Sequence, residues 1–216
     1  MKTRAPSIVR TRRRAYEWSF VVHVHDLLVA AMGRLELSRF AQLEEPDITG
    51  RLVEAMREVV EGPARPRWAW RFAIHDDKPV SGGEDFGKDR PRIDIEIERT
   101  TPGEHPRFQF EAKRLYRTDS VAEYVGPKGL GAFLSGTYGS AHEMMGMLGY
   151  VQADTIADWL GRIEGKLKRE QDSHGLAKDS PVWAEVSFHA ELTSRQSDHH
   201  LGDDAMVVIH TFLGCC

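Results

Sequence analysis

The sequence predicts an α/β domain in which helices flank a central mixed β-sheet. Residues 92–98 and 107–115 alternate apolar and polar side chains, which is the period of half-buried strands. Residues 44–60 and 154–169 instead repeat apolar side chains at helical spacing. Strand-like and helix-like segments thus follow one another along the chain, as is typical of this class.

Length and composition indicate one domain. The chain has 216 residues and 41% hydrophobic content, enough for one core with little left for a second. We expect a basic N-terminal arm over residues 1–15 and a single domain over residues 16–216. No apolar run approaches the ~20 residues that span a bilayer, and no apolar signal core follows the first basic residues. These features predict a cytoplasmic protein that does not enter a membrane.

Three elements are predicted before the alternating pair. Residues 16–37 contain apolar runs that indicate a helix, and residues 44–60 form the helical stripe described above. The alternation in residues 68–74 predicts the first strand of the sheet. The polar residues 75–91 predict a loop that leads to the strand at residues 92–98.

The two alternating segments are expected to pair as a hairpin about a turn from Thr101 to Pro106. Burial of the isoleucines against the phenylalanines would place the charged side chains together on the opposite face. We expect opposed residue numbers to sum to 207, which puts Glu96 beside Glu111 and Asp94 beside Lys113. Acids and a lysine would then share one face.

After the hairpin in the sequence, a glycine-rich segment leads into residues 140–152. The small residues Gly146 and Gly149 suggest that this stretch is a helix packed close against the sheet. An amphipathic helix is predicted over residues 154–169. The remaining chain is expected to form two strands, at residues 182–192 and 205–213, joined by a polar loop at residues 193–204.

An Asp on one strand followed by Glu-x-Lys on the next resembles the PD-(D/E)xK nuclease superfamily, whose fold is called restriction-endonuclease-like. The matching residues are Asp94, Glu111 and Lys113. The glycine-rich segment, the methionines after it and the stretch from Leu148 to Val151 are similar to prokaryotic members associated with phage defence. A solvated polar face on an amphipathic hairpin is the alternative interpretation of the same residues.

The resemblance implies metal-dependent hydrolysis of DNA phosphodiester bonds. Asp94 and Glu111 would bind Mg²⁺, which Mn²⁺ could replace, and the backbone carbonyl of Ala112 would be a further ligand. Lys113 would orient the attacking water or neutralise charge in the transition state. Oxygen ligands suit these hard cations, and a cation between two carboxylates removes their mutual repulsion.

The family core begins with a helix that often donates another acid. Glu45 matches the corresponding Glu-x-x-apolar opening, since it lies three residues before Ile48, and would support the metal or position water. Glu54 is the competing candidate. Acids in a first helical turn are also favoured by the helix dipole alone, which leaves a structural explanation for Glu45.

Basic and polar residues outside the hairpin are the predicted nucleic-acid contacts. The net charge of -4 means that local charge matters more than the overall charge. The arm could neutralise phosphates or remain a solvated tail. The expected contacts are Arg10, Arg12, Arg13 and Arg14 of the arm, Lys88 and Arg90 of the polar loop, and, by resemblance, Gln152.

The function predicted from these observations is DNA cleavage in prokaryotic anti-phage defence. A nucleic-acid-binding module without catalysis and a structural subunit of a defence complex are the alternatives. A partner protein or a homodimer would suit a 24.5 kDa chain in which no recognition module is evident. The choice of DNA or RNA, the strandedness of the substrate, the cleavage specificity and the trigger stay open.

Deleting residues 1–14 is expected to weaken nucleic-acid binding without changing the chemical step. The deletion removes six cationic side chains, and each lost phosphate contact makes the slope of log affinity against log salt shallower by up to ~0.9 on duplex DNA. Affinity titrations at several salt concentrations measure this slope. An unchanged slope assigns the arm to the solvated-tail alternative, and a variant that binds DNA without cleaving it would place part of the active site in the arm.

Overall fold

The computed structural model of the protein describes residues 7–80, 90–100, 105–138, 144–178, 180–201 and 204–216, and the side chains of residues 7–15, 201 and 204 lie outside this description. The helices are α1 (Ser7–Met32), α2 (Glu45–Glu61), α3 (Ser120–Val125), α4 (Leu130–Leu134) and α5 (Ile156–Arg169). The strands are β1 (Phe72–Pro79), β2 (Arg92–Arg99), β3 (Arg107–Leu115), β4 (Met144–Val151), β5 (Ala184–Val186), β6 (Thr193–Leu201) and β7 (Asp204–Gly214).

These strands form one seven-stranded mixed sheet in the order β1-β2-β3-β4-β7-β6-β5. Strands β1, β2 and β3 are antiparallel, β3, β4 and β7 are parallel, and β7, β6 and β5 are again antiparallel. A parallel pair needs a crossover between its strands, and α3 and α4 lie in the crossover from β3 to β4. The predicted α/β class, with a mixed sheet flanked by helices, is confirmed.

Apolar side chains form two cores, one on each side of the sheet. The first core joins α1 and α2 to the sheet and includes Leu27, Leu52 and Phe110. The second joins α3, α4 and α5 to the other side and includes Tyr124 and Trp159. Within the described ranges, no helix has the length and apolar character needed to cross a membrane.

The predicted helices match the structure closely where the apolar stripe is strong. Helix α2 coincides with the stripe at residues 44–60, and α5 coincides with the stripe at 154–169. Thr155 caps α5 by accepting a hydrogen bond from the Asp158 backbone N–H. The backbone of α1 is helical from Ser7, so this helix begins inside the residues assigned to the basic arm.

The hairpin register differs from the prediction by two residues. Opposed residues sum to 205, so that Ile95 faces Phe110 and Glu96 faces Gln109 instead of Glu111. The alternation determines which face of the strand a side chain occupies, and a shift of two residues leaves every face unchanged. The predicted turn overlaps residues 101–104, which lie outside the description.

The first strand lies further along the chain than predicted. A 3-10 helix occupies Ala69–Arg71, and β1 extends through residues expected in the polar loop, up to Pro79. Its polar side chains are accommodated because β1 is an edge strand that pairs only with β2 among the described strands. The loop prediction is therefore wrong for residues 75–79, while residues 81–89 lie outside the description.

The helix predicted at residues 140–152 is wrong, because this stretch contains the central strand β4. Gly146 and Gly149 serve close packing within the sheet. A Cβ added at Gly146 would lie 2.7 Å from Cε1 of Phe108 and would overlap the Phe110 ring; one added at Gly149 would lie 2.7 Å from Cδ1 of Phe212. Neighbouring strands thus use the space that a side chain would need.

The C-terminal strands are partly as predicted. Strand β7 confirms the prediction for residues 205–213, whereas only Ala184–Val186 of the stretch at 182–192 forms a strand. The polar loop predicted at residues 193–204 is wrong over β6, which pairs with β7 along its length. Long-range pairing thus decides the structure of a segment whose composition suggests a loop.

A hydrogen-bonded chain of side chains explains how Ser197 and His199 of the polar strand β6 are buried. Tyr124 Oη lies 3.1 Å from Nδ1 of His210, whose Nε2 lies 2.8 Å from Oγ of Ser197. Ser197 Oγ lies 2.7 Å from Nε2 of His199. All four residues are buried and bonded, so His199 and His210 are structural parts of the sheet and do not line a cleft.

Replacing Gly146 with alanine is expected to destabilise the fold. The added methyl group meets the Phe108 and Phe110 rings, and overpacking of this kind costs about 1–3 kcal/mol. Gly161→Ala is the matched control, because a Cβ at Gly161 in α5 has no atom within 4 Å. It should raise the free energy of unfolding by up to about 1 kcal/mol. Urea unfolding measures both variants, and equal stability of Gly146→Ala and wild type would contradict the packing argument.

Candidate functional site

The structure brings together the four residues predicted to be catalytic. Asp94 lies on β2, Glu111 and Lys113 lie two residues apart on β3, and Glu45 is in the first turn of α2. Lys113 Nζ donates hydrogen bonds to Glu111 Oε1 at 2.8 Å and to Glu45 Oε1 at 3.2 Å. Residues from three separate elements therefore meet at one point.

The Ala112 backbone fixes two further parts of this site. Its N–H donates to Asp94 Oδ2 at 2.7 Å, and its carbonyl oxygen accepts from Lys113 Nζ at 2.6 Å. The Asp94 bond holds β2 against β3 next to the last pair of the hairpin ladder. The Lys113 ammonium thus lies among three oxygens, from Glu45, Glu111 and Ala112, which surround a single positive charge.

Burial and mutual repulsion perturb the acids. Burial, together with the charge of Asp94, raises the pKa of Glu111 to about 7. Burial likewise raises the pKa of Asp94 and of Glu45 above their ordinary values. Burial alone would lower the pKa of Lys113, but the carboxylates of Glu111 and Glu45 outweigh it and raise that pKa. The site therefore favours additional positive charge.

Tyr138 is a site residue that the sequence argument did not identify. Its hydroxyl donates a hydrogen bond to Glu111 Oε2 at 2.7 Å, on the oxygen that Lys113 does not contact. Burial and the adjacent Glu111 raise the pKa of Tyr138, so the hydroxyl stays protonated and donates. The only signal in the sequence is that Tyr138 ends the glycine-rich segment, which does not specify a partner.

Glu45, and not Glu54, is the acid that α2 contributes to the site. Glu54 lies on α2 with its side chain 69% exposed, and its nearest ion-pair partner is Arg57 at 3.9 Å. Glu45 has only 27% of its side chain exposed and contacts Lys113. The start of α2, which carries Glu45, is therefore the part of the helix that approaches β3.

Glu96 belongs to a different network on the hairpin. Its carboxylate accepts from Lys78 and, at 2.7 Å, from Gln109 Nε2. Burial acts to raise the pKa of Glu96, but these donors and the nearby Arg107 outweigh it and lower that pKa. Unlike Glu111, this buried carboxylate is well compensated by its neighbours.

A second group could hold a metal ion. His75, Glu96 and Glu98 each offer a ligand atom, and these atoms lie within 4.8 Å of one another. Among the described residues this is the only such compact trio. Lys78 contacts Glu96, and Arg107 lies 3.6 Å from Glu98, so cationic side chains already neutralise this group.

The predicted nucleic-acid contacts are only partly described. Gln152 is buried, and its Nε2 donates to the carbonyls of Phe40 at 2.6 Å and Leu43 at 2.8 Å, so its amide stabilises the fold. Arg90 is half-buried. Lys88 and the side chains of Arg10, Arg12, Arg13 and Arg14 lie outside the described residues.

Comparison with protein-family models, curated proteins and solved structures finds no match to this chain. The function must therefore be inferred from the geometry of the site.

Glu111→Gln is expected to stabilise the protein at high pH. Folding raises the pKa of this carboxyl from 4.5 to about 7, so the folded protein loses stability as the pH rises through that interval. The glutamine variant lacks this cost and should gain about 1–3 kcal/mol at pH 8, with less gain toward pH 5. Urea unfolding across this pH range measures the difference.

Glu96→Gln is the matched control, with the opposite sign. The folded-state pKa of Glu96 is lowered, so its ionised form stabilises the fold above the unfolded-state pKa, and this contribution is lost as the pH falls through the folded-state pKa. The variant should be less stable than the wild type at pH 8. Destabilisation by both substitutions at pH 8 would contradict the assignment of Glu111 as an incompletely compensated charge.

Proposed function

We propose that this chain is a metal-dependent nuclease of the PD-(D/E)xK type, with the restriction-endonuclease-like fold. The observation that carries the proposal is the convergence of Glu45, Glu111 and the Ala112 carbonyl on the Lys113 ammonium. Asp94 lies beside them, bonded to the Ala112 N–H. A solvated polar face would leave such side chains exposed, whereas Glu111 is 5% exposed.

The donor set suits a hard divalent cation. Asp94, Glu111 and the Ala112 carbonyl offer only oxygen atoms, with Glu45 available as a further carboxylate, and such ligands favour Mg²⁺ or Mn²⁺. The raised pKa of Glu111 indicates that the carboxylates lack sufficient positive charge. When bound, the cation would make a water molecule more acidic and stabilise negative charge on a phosphate.

The side chains of the chain itself would perform the remaining tasks. Asp94 is held by the Ala112 N–H through one oxygen, which fixes the direction of the other. Lys113 is a compact point charge tethered by Glu45 and Glu111, so it can orient water or neutralise charge that develops on phosphate. The low exposure around Glu111 strengthens these electrostatic interactions.

The choice of DNA as substrate and a role in prokaryotic anti-phage defence follow from the resemblance of the sequence. The basic residues at the start of α1 would hold the phosphate backbone, which positions a nucleic acid without reading its sequence. A partner protein of a defence system, or a second copy of this chain, would then supply specificity. The alternative is a protein that binds nucleic acid without cleaving it, and activity measurements decide between the two.

Alanine variants of Asp94, Glu111 and Lys113 are expected to remain folded and to lose cleavage of plasmid or single-stranded DNA in Mg²⁺ or Mn²⁺. Each removes a charged group of the site without opening an apolar cavity. Lys166→Ala is the matched control, because Glu164-Gly-Lys166 repeats the Glu-x-Lys triplet on helix α5, where Lys166 pairs with Glu170. This variant should cleave as the wild type does. Binding without cleavage by the wild type would establish the alternative of nucleic-acid binding without catalysis.

Saturating Mg²⁺ or Mn²⁺ is expected to raise the melting temperature of the wild type. A ligand at 100 times its Kd stabilises the folded state by about 2.7 kcal/mol. Glu111→Ala should lose the shift. His75→Ala should keep it, because His75 belongs to the second possible metal group. The reverse pattern, with the shift lost in His75→Ala alone, would place the metal at His75, Glu96 and Glu98.

A further inference from the structure

We propose that Tyr138 is a positioning residue that sets the orientation of the Glu111 carboxylate for cation binding. This inference rests on the proposed function, since the cation site is part of that proposal. It assigns a role to the crossover between β3 and β4, which carries none of the residues identified by the Asp and Glu-x-Lys pattern.

The two oxygens of Glu111 have different donors. Oε1 accepts from the Lys113 ammonium at 2.8 Å, and Oε2 accepts from the Tyr138 hydroxyl at 2.7 Å. Among the described side chains, these are the two hydrogen-bond donors to this carboxylate. A cation bound by Glu111 would compete with the Lys113 ammonium for negative charge. The neutral Tyr138 hydroxyl carries no charge that such a cation would repel, so it can hold the carboxylate in both states.

Packing fixes the ring that carries this hydroxyl. Tyr138 is 9% exposed in the second core, and the Phe133 ring packs edge-on against it at a centroid distance of 5.2 Å. The turn before it is defined by Gly136, which has φ +73° and donates its N–H to the Phe133 carbonyl at 3.0 Å. A left-handed backbone of this kind favours glycine. The hydroxyl is therefore delivered by a hydrogen-bonded turn and a packed ring.

Glu111 needs such a support because burial and a neighbouring like charge oppose its charged form, while the Lys113 ammonium holds only one of its oxygens. It is buried and lies beside the like charge of Asp94. A hydrogen bond to a ligating carboxylate orients it, and loss of such a partner typically lowers metal affinity 10–100-fold. Tyr138 would therefore contribute to cation affinity without touching the cation.

The test compares Tyr138→Phe with Tyr124→Phe. Both remove one buried tyrosine hydroxyl from the same crossover, but the Tyr124 hydroxyl bonds His210 and not a site residue. Calorimetric titration with Mn²⁺ alone should show about 10–100-fold weaker binding for Tyr138→Phe and unchanged binding for Tyr124→Phe. With DNA as substrate at saturating Mn²⁺, kcat of Tyr138→Phe should fall more than KM rises.

A crystal structure of Tyr138→Phe without metal distinguishes failure of this inference from failure of the proposed function. The inference expects the Glu111 carboxylate to leave its wild-type orientation. An unchanged carboxylate together with wild-type Mn²⁺ affinity overturns the role of Tyr138, even if the wild type cleaves DNA. A reoriented carboxylate in a protein whose wild type binds no Mn²⁺ supports positioning of Glu111 by Tyr138 and rejects the cation site.

Discussion

The contact between the Lys113 ammonium and the Glu111 carboxylate is the interaction on which the candidate site depends. Their side chains are only 12% and 7% exposed, so each charge has lost most of its hydration, and the ion pair offsets only part of this cost, since the pKa of Glu111 remains raised. The same ammonium also contacts Glu45 and the Ala112 carbonyl, which joins strand β3 to the start of α2. Lys113 thus connects the elements that form the proposed site.

Two buried glutamates on the hairpin show how stability and function diverge. Glu96 has donors on both of its oxygens, and its pKa is lowered. Glu111 also has donors on both oxygens, yet burial and Asp94 raise its pKa to about 7. A destabilising group of this kind is often found where activity needs it, since stability and activity trade off at active sites. Strongly perturbed acids of this kind mark candidate functional sites.

The placement of Tyr138 follows from the topology of the sheet. Because β3 and β4 are parallel, the chain between them must cross one face, and it does so through α3 and α4. Gly146 and Gly149 of β4 leave room for the side chains of the neighbouring strands. The crossover then returns over β3 with Tyr138 against Glu111. The crossover therefore connects the packing of the sheet to the position of Glu111.

Local periodicity determined much of this fold and of the candidate site from the sequence alone. It identified α2, α5 and β7 and placed Asp94, Glu111 and Lys113 on one polar face, because each pattern repeats within a single element. Tertiary structure decided the rest. β4 is buried on both faces, so its sequence shows no period, and β6 becomes a strand by pairing with β7. Strand pairing also sets the hairpin register two residues away from the prediction, a shift that leaves every side chain on the same face. The bond from Tyr138 to Glu111 joins residues far apart in sequence, so only the packed structure reveals it.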